Sequence, residues 1–216
     1  MTMDDANWAD TARELYEAAV FGGDGTAPGR ADLLLDRVEA ELALARGRVL
    51  HARFLDDQRQ DPEELRLFTR SAELFRALGE VRGEGEALLW VGVYHQVVVQ
   101  DGRGSLPFLR RSRELAGQAG DRLTLSYAVR HLAFFEMYEG SAPEARRLFE
   151  ESVRLREEIG FVPGVAAAKL SLAEFAARTG DRAEALALLD EATALAEASG
   201  AHGTTGWIDR TRAELG

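Results

Sequence analysis

The sequence predicts an all-α solenoid of four to five stacked antiparallel helical hairpins, and three observations predict it. Glycines closing long amphipathic segments, Gly79, Gly120, Gly160 and Gly200, recur at spacings of 41, 40 and 40. Ahead of them a bulky residue recurs on one register, at Phe68, Leu109, Phe149 and Leu189, and Ser71, Ser112, Ser152 and Ala192 follow three residues later. A second set of bulky–small pairs, Val91-Gly92, Leu132-Ala133 and Leu172-Ala173, repeats at 41 and 40. A small residue at a fixed place on a helix lets a neighbouring helix approach closely. A hairpin of this size cannot bury its apolar faces alone, so successive copies must stack. No strand-like alternation competes with these registers.

The elements follow in order. Residues 1–29 form an N-terminal cap, with a helix over 7–21 and the glycine-rich loop "GGDGTAPG" at 22–29. The repeats occupy residues 30–203. Their helices are expected at 30–58, 62–78, 83–100, 106–119, 122–138, 143–159, 162–178 and 182–198. The breaks "QDGRGS", "YEGSA" and "RTGDR" separate helices, and glycine there suits the left-handed residue at a helix C-terminus. A closing helix over 204–215 caps the stack, giving a C-terminal cap of residues 204–216. Starting at a methionine and ending on a capping helix, the chain is expected to be complete.

Composition excludes several function classes. Cysteine is absent, which removes disulfides, thiolate metal sites and cysteine nucleophiles together. The net charge of −11 repels phosphate backbones, so nucleic acid is not an expected partner. The arginine-rich stretch 101–130, with Arg103, Arg110, Arg111, Arg113, Arg122 and Arg130, reads as a solvated helix face. One lysine, Lys169, against 25 arginines is the composition of a GC-rich bacterial genome. The N-terminus lacks the basic-then-apolar pattern of a signal peptide. The longest apolar run, 87–99, is interrupted by His95 and Gln96 and is too short to span a bilayer. A cytoplasmic protein without membrane contact is expected.

At the repeat positions the chain resembles the tetratricopeptide repeat (TPR) family over roughly residues 30–215. In the third unit Leu172-Ala173 stands where that family places Leu-Gly, Gly180-Asp181 matches its turn, and Ala185, Leu189 and Ala192 match its small–bulky–small pattern. The period near 40 exceeds the family's usual 34, and glycine replaces the closing proline. Both features resemble longer-period variants in bacterial regulatory proteins and kinesin light chains. The resemblance implies a right-handed α-solenoid acting as a non-enzymatic scaffold that binds a protein or peptide in a concave groove. Carried over by register, the groove stripes are Arg46, Val49, Arg53 and Asp56; Leu89, Val93 and Gln96; Tyr127, Arg130, Phe134 and Met137; and Leu170, Glu174 and Ala177. Arg46, Arg53 and Arg130 would hold acidic groups by charge-assisted hydrogen bonds. Phe134 and Met137 are equally compatible with simple packing between helices. Self-association through an exposed helix face is a further expectation.

No enzyme motif is present. "GGDGTAPG" lacks the following Lys-Ser or Lys-Thr and the preceding strand that a phosphate loop needs. His51, His95, His131 and His202 include no pair at zinc-binding helical spacing, and no metal or cofactor is expected. One anomaly stands out. The face that should pack against other helices carries Arg48, His51, His95, Glu136 and Lys169, and His95 and Glu136 occupy the same place in successive units. Buried charges must be paired or wet. Either these groups pair with one another, or they line a polar pocket around His51, His95, Glu136 and Lys169. The second alternative would make the chain a small-molecule-binding or catalytic protein of a bacterial biosynthetic or regulatory system, with proton transfer between His95 and Glu136.

Overall fold

The computed structural model describes residues 7–215, in which ten helices follow one another in antiparallel pairs. They are α1 (Trp8–Val20), α2 (Ala27–Asp57), α3 (Pro62–Leu78), α4 (Val81–Val93), α5 (Gly102–Ala119), α6 (Arg122–Glu139), α7 (Ala142–Glu158), α8 (Val162–Arg178), α9 (Arg182–Ser199) and α10 (His202–Glu214). Helix α4 runs on into a π-helical turn, Tyr94–Val98. Each helix packs most on its chain neighbours, while α4 also touches α6, α6 touches α8, and α8 touches α10. The even-numbered helices therefore form one layer and α3, α5, α7 and α9 the other, as in a helical-repeat solenoid. Among the described residues no helix is long and apolar enough to cross a membrane.

The period of 40 is written in the helix ends. Asp61, Asp101 and Asp181 each accept a hydrogen bond from a first-turn backbone N–H of α3, α5 and α9 respectively. Such a carboxylate satisfies a donor that the helix cannot satisfy itself and favourably meets its positive end. At the corresponding place before α7 stands Ser141, whose side chain makes no cap. There the carboxylate of Glu136 accepts from the Ser141 N–H at 2.9 Å instead. The far ends are closed by Gly79, Gly120 and Gly200 at φ of 72°, 66° and 67°, a left-handed conformation that a side chain would strain.

The recurring bulky residues form the spine of the core. Phe68, Leu109, Phe149 and Leu189 are all fully buried, and so are Ser71, Ser112, Ser152 and Ala192. The small partner on the facing helix sets the helix distance. A methyl group on Gly92 would lie 2.6 Å from the Leu109 side chain, and one on Gly47 would lie 2.5 Å from the Phe68 ring. Successive units are also linked by ion pairs about one repeat apart in sequence: Arg82–Asp121, Arg103–Glu139, Arg113–Glu151, Arg122–Glu158 and Arg146–Glu184. These pairs reach the surface, where each contributes about 0–1 kcal/mol, so they mark register more than they stabilise. They also account for Arg103, Arg113 and Arg122 of the arginine-rich stretch.

Candidate binding site

The inner layer lines a half-open cavity of about 770 Å³. Five helices contribute to it in turn. His51 and Leu55 come from α2; Leu89, Trp90, Val93, Gln96 and Val97 from α4 and its π turn. Helix α6 supplies Tyr127, Arg130, His131, Phe134, Phe135 and Tyr138, and α8 supplies Pro163, Gly164, Ala167, Leu170, Ser171 and Glu174. Thr204 and Trp207 of α10 close one end. The π turn matters here, because an i→i+5 bond from Val99 N to Tyr94 O rotates the end of α4. Gln96 and Val97 thereby join the wall formed by Leu89 and Val93.

Most of this wall is aromatic or aliphatic, and its polar groups are few. Arg130 donates from Nε to Ser171 Oγ at 2.9 Å, and its guanidinium lies 5.3 Å from the Phe134 ring centroid. Arg156 of α7 crosses from the outer layer and is fully buried. Its Nε donates to Ser126 Oγ at 3.2 Å and its Nη1 to the Gly164 carbonyl at 2.7 Å, with the guanidinium 4.4 Å from the Tyr127 ring centroid. Its Nη2 has no hydrogen-bond partner among the described residues. Burial, and then the charge of Arg130, lowers the Arg156 pKa to about 10, and burial also lowers that of Arg130. Glu174 faces the same space, and burial raises its pKa. Neither arginine is within ion-pair distance of a carboxylate among the described residues.

Two histidines are held in fixed orientations. His51 Nδ1 lies 2.8 Å from the Oε1 of buried Glu64, at the α2–α3 junction. His131 and Gln96 clasp each other: Gln96 Nε2 donates to the His131 carbonyl at 2.9 Å, and His131 Nδ1 sits 2.6 Å from Gln96 Oε1. Burial, then the charges of Arg130 and Arg156, pushes the His131 pKa well below its ordinary value, so the ring is neutral and donates from Nδ1. The unfolded chain takes up this proton near pH 6.5 and the folded chain does not, so stability falls as pH drops below about 6.5. Between pH 7 and 5.5 the wild type is expected to lose about 1 kcal/mol more than His131→Gln. Guanidinium unfolding at the two pH values checks this, and equal losses in both proteins would exclude it.

Of the residues assigned to a groove from sequence, Leu89, Val93, Gln96, Tyr127, Arg130, Phe134, Leu170 and Glu174 line this cavity, and Ala177 does not. Met137 instead packs half-buried against the central core. Arg46 and Arg53 are exposed and lie outside the cavity, as do Val49 and Asp56. The reason is a register offset. Gly47 meets Phe68 as Gly92 meets Leu109, so α2 stands 45 residues before α4 rather than the 43 that aligns Arg46 with Leu89 and Arg53 with Gln96. That offset turns His51 and Leu55 inward and Arg46 and Arg53 outward.

The polar positions of the packing face do not converge. His95 stacks on Phe108 with centroids 5.3 Å apart, Glu136 caps α7, and Lys169 bonds Glu191 at 2.7 Å. None of the three lines the cavity, whereas His51 does. Arg48 pairs with Glu86 and lies over Trp90. Sequence reasoning missed Arg156, Trp207 and the His131–Gln96 clasp. Arg156 was detectable: it lies four residues before Gly160, where the sister units have Phe75, Ala116 and Ala196.

A model of the tetratricopeptide repeat family matches residues 121–198, which span α6 to α9. No curated protein sequence matches the chain. Among solved structures, BtubC (BKLC) from P. vanneervenii superposes with a TM-score of 0.50 at 14% identity, covering 93% of each chain. A point variant of a kinesin-light-chain candidate from Podosopora anserina, built of nearly identical TPR-like repeats, gives 0.42 at 16% identity, covering 93% of this chain and 99% of that one. With its paired helices and its period near 40, this chain has a TPR-like helical-repeat fold, and its segment over α6–α9 is similar to the tetratricopeptide repeat family.

Proposed function

We propose that the protein is a non-enzymatic binding module that receives a segment of a protein partner in its inner-layer cavity. One observation carries this reading. The cavity runs along five consecutive inner helices and is walled by Trp90, Tyr127, Phe134, Phe135, Tyr138 and Trp207. Aromatic side chains of this kind give large contact area at small entropic cost and dominate binding hot spots. TPR repeats generally bind proteins, which agrees with this use of the inner face.

The test is selection of displayed peptides on the intact protein, followed by affinity measurements on variants. Trp207 is partly exposed and Phe134 half-buried, so Trp207→Ala and Phe134→Ala leave most of the core in place. Each is expected to weaken selected peptides by about 1–2 kcal/mol, roughly 5- to 30-fold. Arg154→Ala, at an exposed position on α7 outside the cavity, is expected to change nothing. Peptides that bind both cavity variants undiminished would overturn the assignment.

A further inference from the structure

Four charged side chains line the cavity; Glu139 is paired with Arg103, and the other three sit where the repeat places apolar side chains. Arg130 occupies the register of Leu89 and Leu170, both buried. Glu174 occupies that of Val93 and Phe134, and Arg156 that of Phe75, Ala116 and Ala196. Nothing in the stacking of helices calls for arginine at these places, because the sister units fill them with hydrocarbon. A buried guanidinium held by two neutral acceptors, with a third donor unused, is costly unless an anion completes it.

The geometry points to a small-molecule site: the cavity takes a free organic acid with an aliphatic or aromatic body, its carboxylate received by Arg156 and Arg130. The inference goes beyond the partner-segment reading and stands independently of it. Arg156 Nη2 is unpaired over the ring of Tyr127, and Arg130, over that of Phe134, is held through its Nε. Fixed between them, a carboxylate would relieve the repulsion between two buried cations. The hydrocarbon body would lie against Leu89, Val93 and Leu170. A volume of about 770 Å³ suits a small organic ligand, since such sites run from roughly 300 to 1,000 Å³. Glu174 limits the charge the site accepts. With Glu139 already paired with Arg103, two cations against the one remaining carboxylate leave room for one negative charge, which selects a monoacid over a diacid.

Isothermal titration of the full chain with octanoate and 3-phenylpropanoate, each against its matching alcohol and amine, tests this. At least one acid is expected to bind about tenfold or more tighter than its alcohol, and the amines not at all. Glu174→Gln is expected to tighten acid binding and leave alcohol binding unchanged, and Arg156→Met to bring the acid down to the level of the alcohol. The inference is overturned if acid and alcohol bind alike, if neither acid binds, or if Arg156 proves to be required only by acidic peptides. The last outcome would leave the partner-segment reading standing. Conversely, failure of displayed peptides to bind would leave the acid titration unaffected.

Discussion

Phe149→Ala is expected to cost about 3–5 kcal/mol of stability, the range for emptying a buried phenylalanine site. Phe149 is fully buried at the middle of the stack, with its ring 5.2 Å from that of Phe134 and 6.0 Å from that of Phe175. It therefore joins α7 to both α6 and α8. In a solenoid each unit contacts only its neighbours, so losing this contact weakens two interfaces at once. Phe149→Leu is expected to cost much less, about 1 kcal/mol, because Leu109 and Leu189 fill the same register in the flanking units. Against a total of about 5–15 kcal/mol, the alanine variant loses a large fraction and the leucine variant a small one. Urea unfolding of the three proteins measures the difference. Equal costs for Ala and Leu, or a cost below about 1.5 kcal/mol for Ala, would contradict the spine described here.

How far the sequence carried depended on whether a residue had sisters. The helices α3 to α9 were legible because Gly79, Gly120, Gly160 and Gly200 close successive units, and predicted ends fell within a few residues of those observed. Eight of the fourteen groove residues reach the cavity for the same reason: Leu89, Arg130 and Leu170 share one register, and Val93, Phe134 and Glu174 share the next. Helix α2 has no preceding copy. Its exposed Leu33, Leu42 and Val49 also obscure which face is inward, so hydrophobicity could not correct the offset. The π turn after Val93 was invisible because its residues, "YHQVV", suit an α-helix equally well. His95 and Glu136 illustrate a different limit. Equal register made them neighbours on paper, but a helix end intervened: Ser141, without a side-chain cap, draws the Glu136 carboxylate to its N–H. The departures of single residues from their own register, Arg130, Arg156 and Glu174, turned out to be more informative than polarity on a presumed face.

Arg156 separates a structural role from a binding one, because its replacement by an apolar chain of similar length is expected to leave the fold intact. Its hydrogen-bond partners do not depend on it. Ser126 Oγ also donates to the Leu123 carbonyl, and the Gly164 carbonyl lies in the first turn of α8, where the helix supplies an N–H. Removing the guanidinium strands no buried group and relieves the desolvation of a cation. Exchange of buried charges for hydrocarbon of similar volume is neutral or stabilising by about 1–4 kcal/mol in such cases. Arg156→Met is therefore expected to melt at or above the wild-type temperature. Arg156→Ala opens a void behind Tyr127 at a fully buried position and is expected to lose about 2–4 kcal/mol. Calorimetric melting of the pair decides the matter. If Met destabilises as much as Ala, the guanidinium holds α6 to α8 and the arginine is explained by structure. If Met is neutral or better while the acid binds no better than its alcohol, stability gives no reason for the arginine at this place in the repeat, and the ligand does.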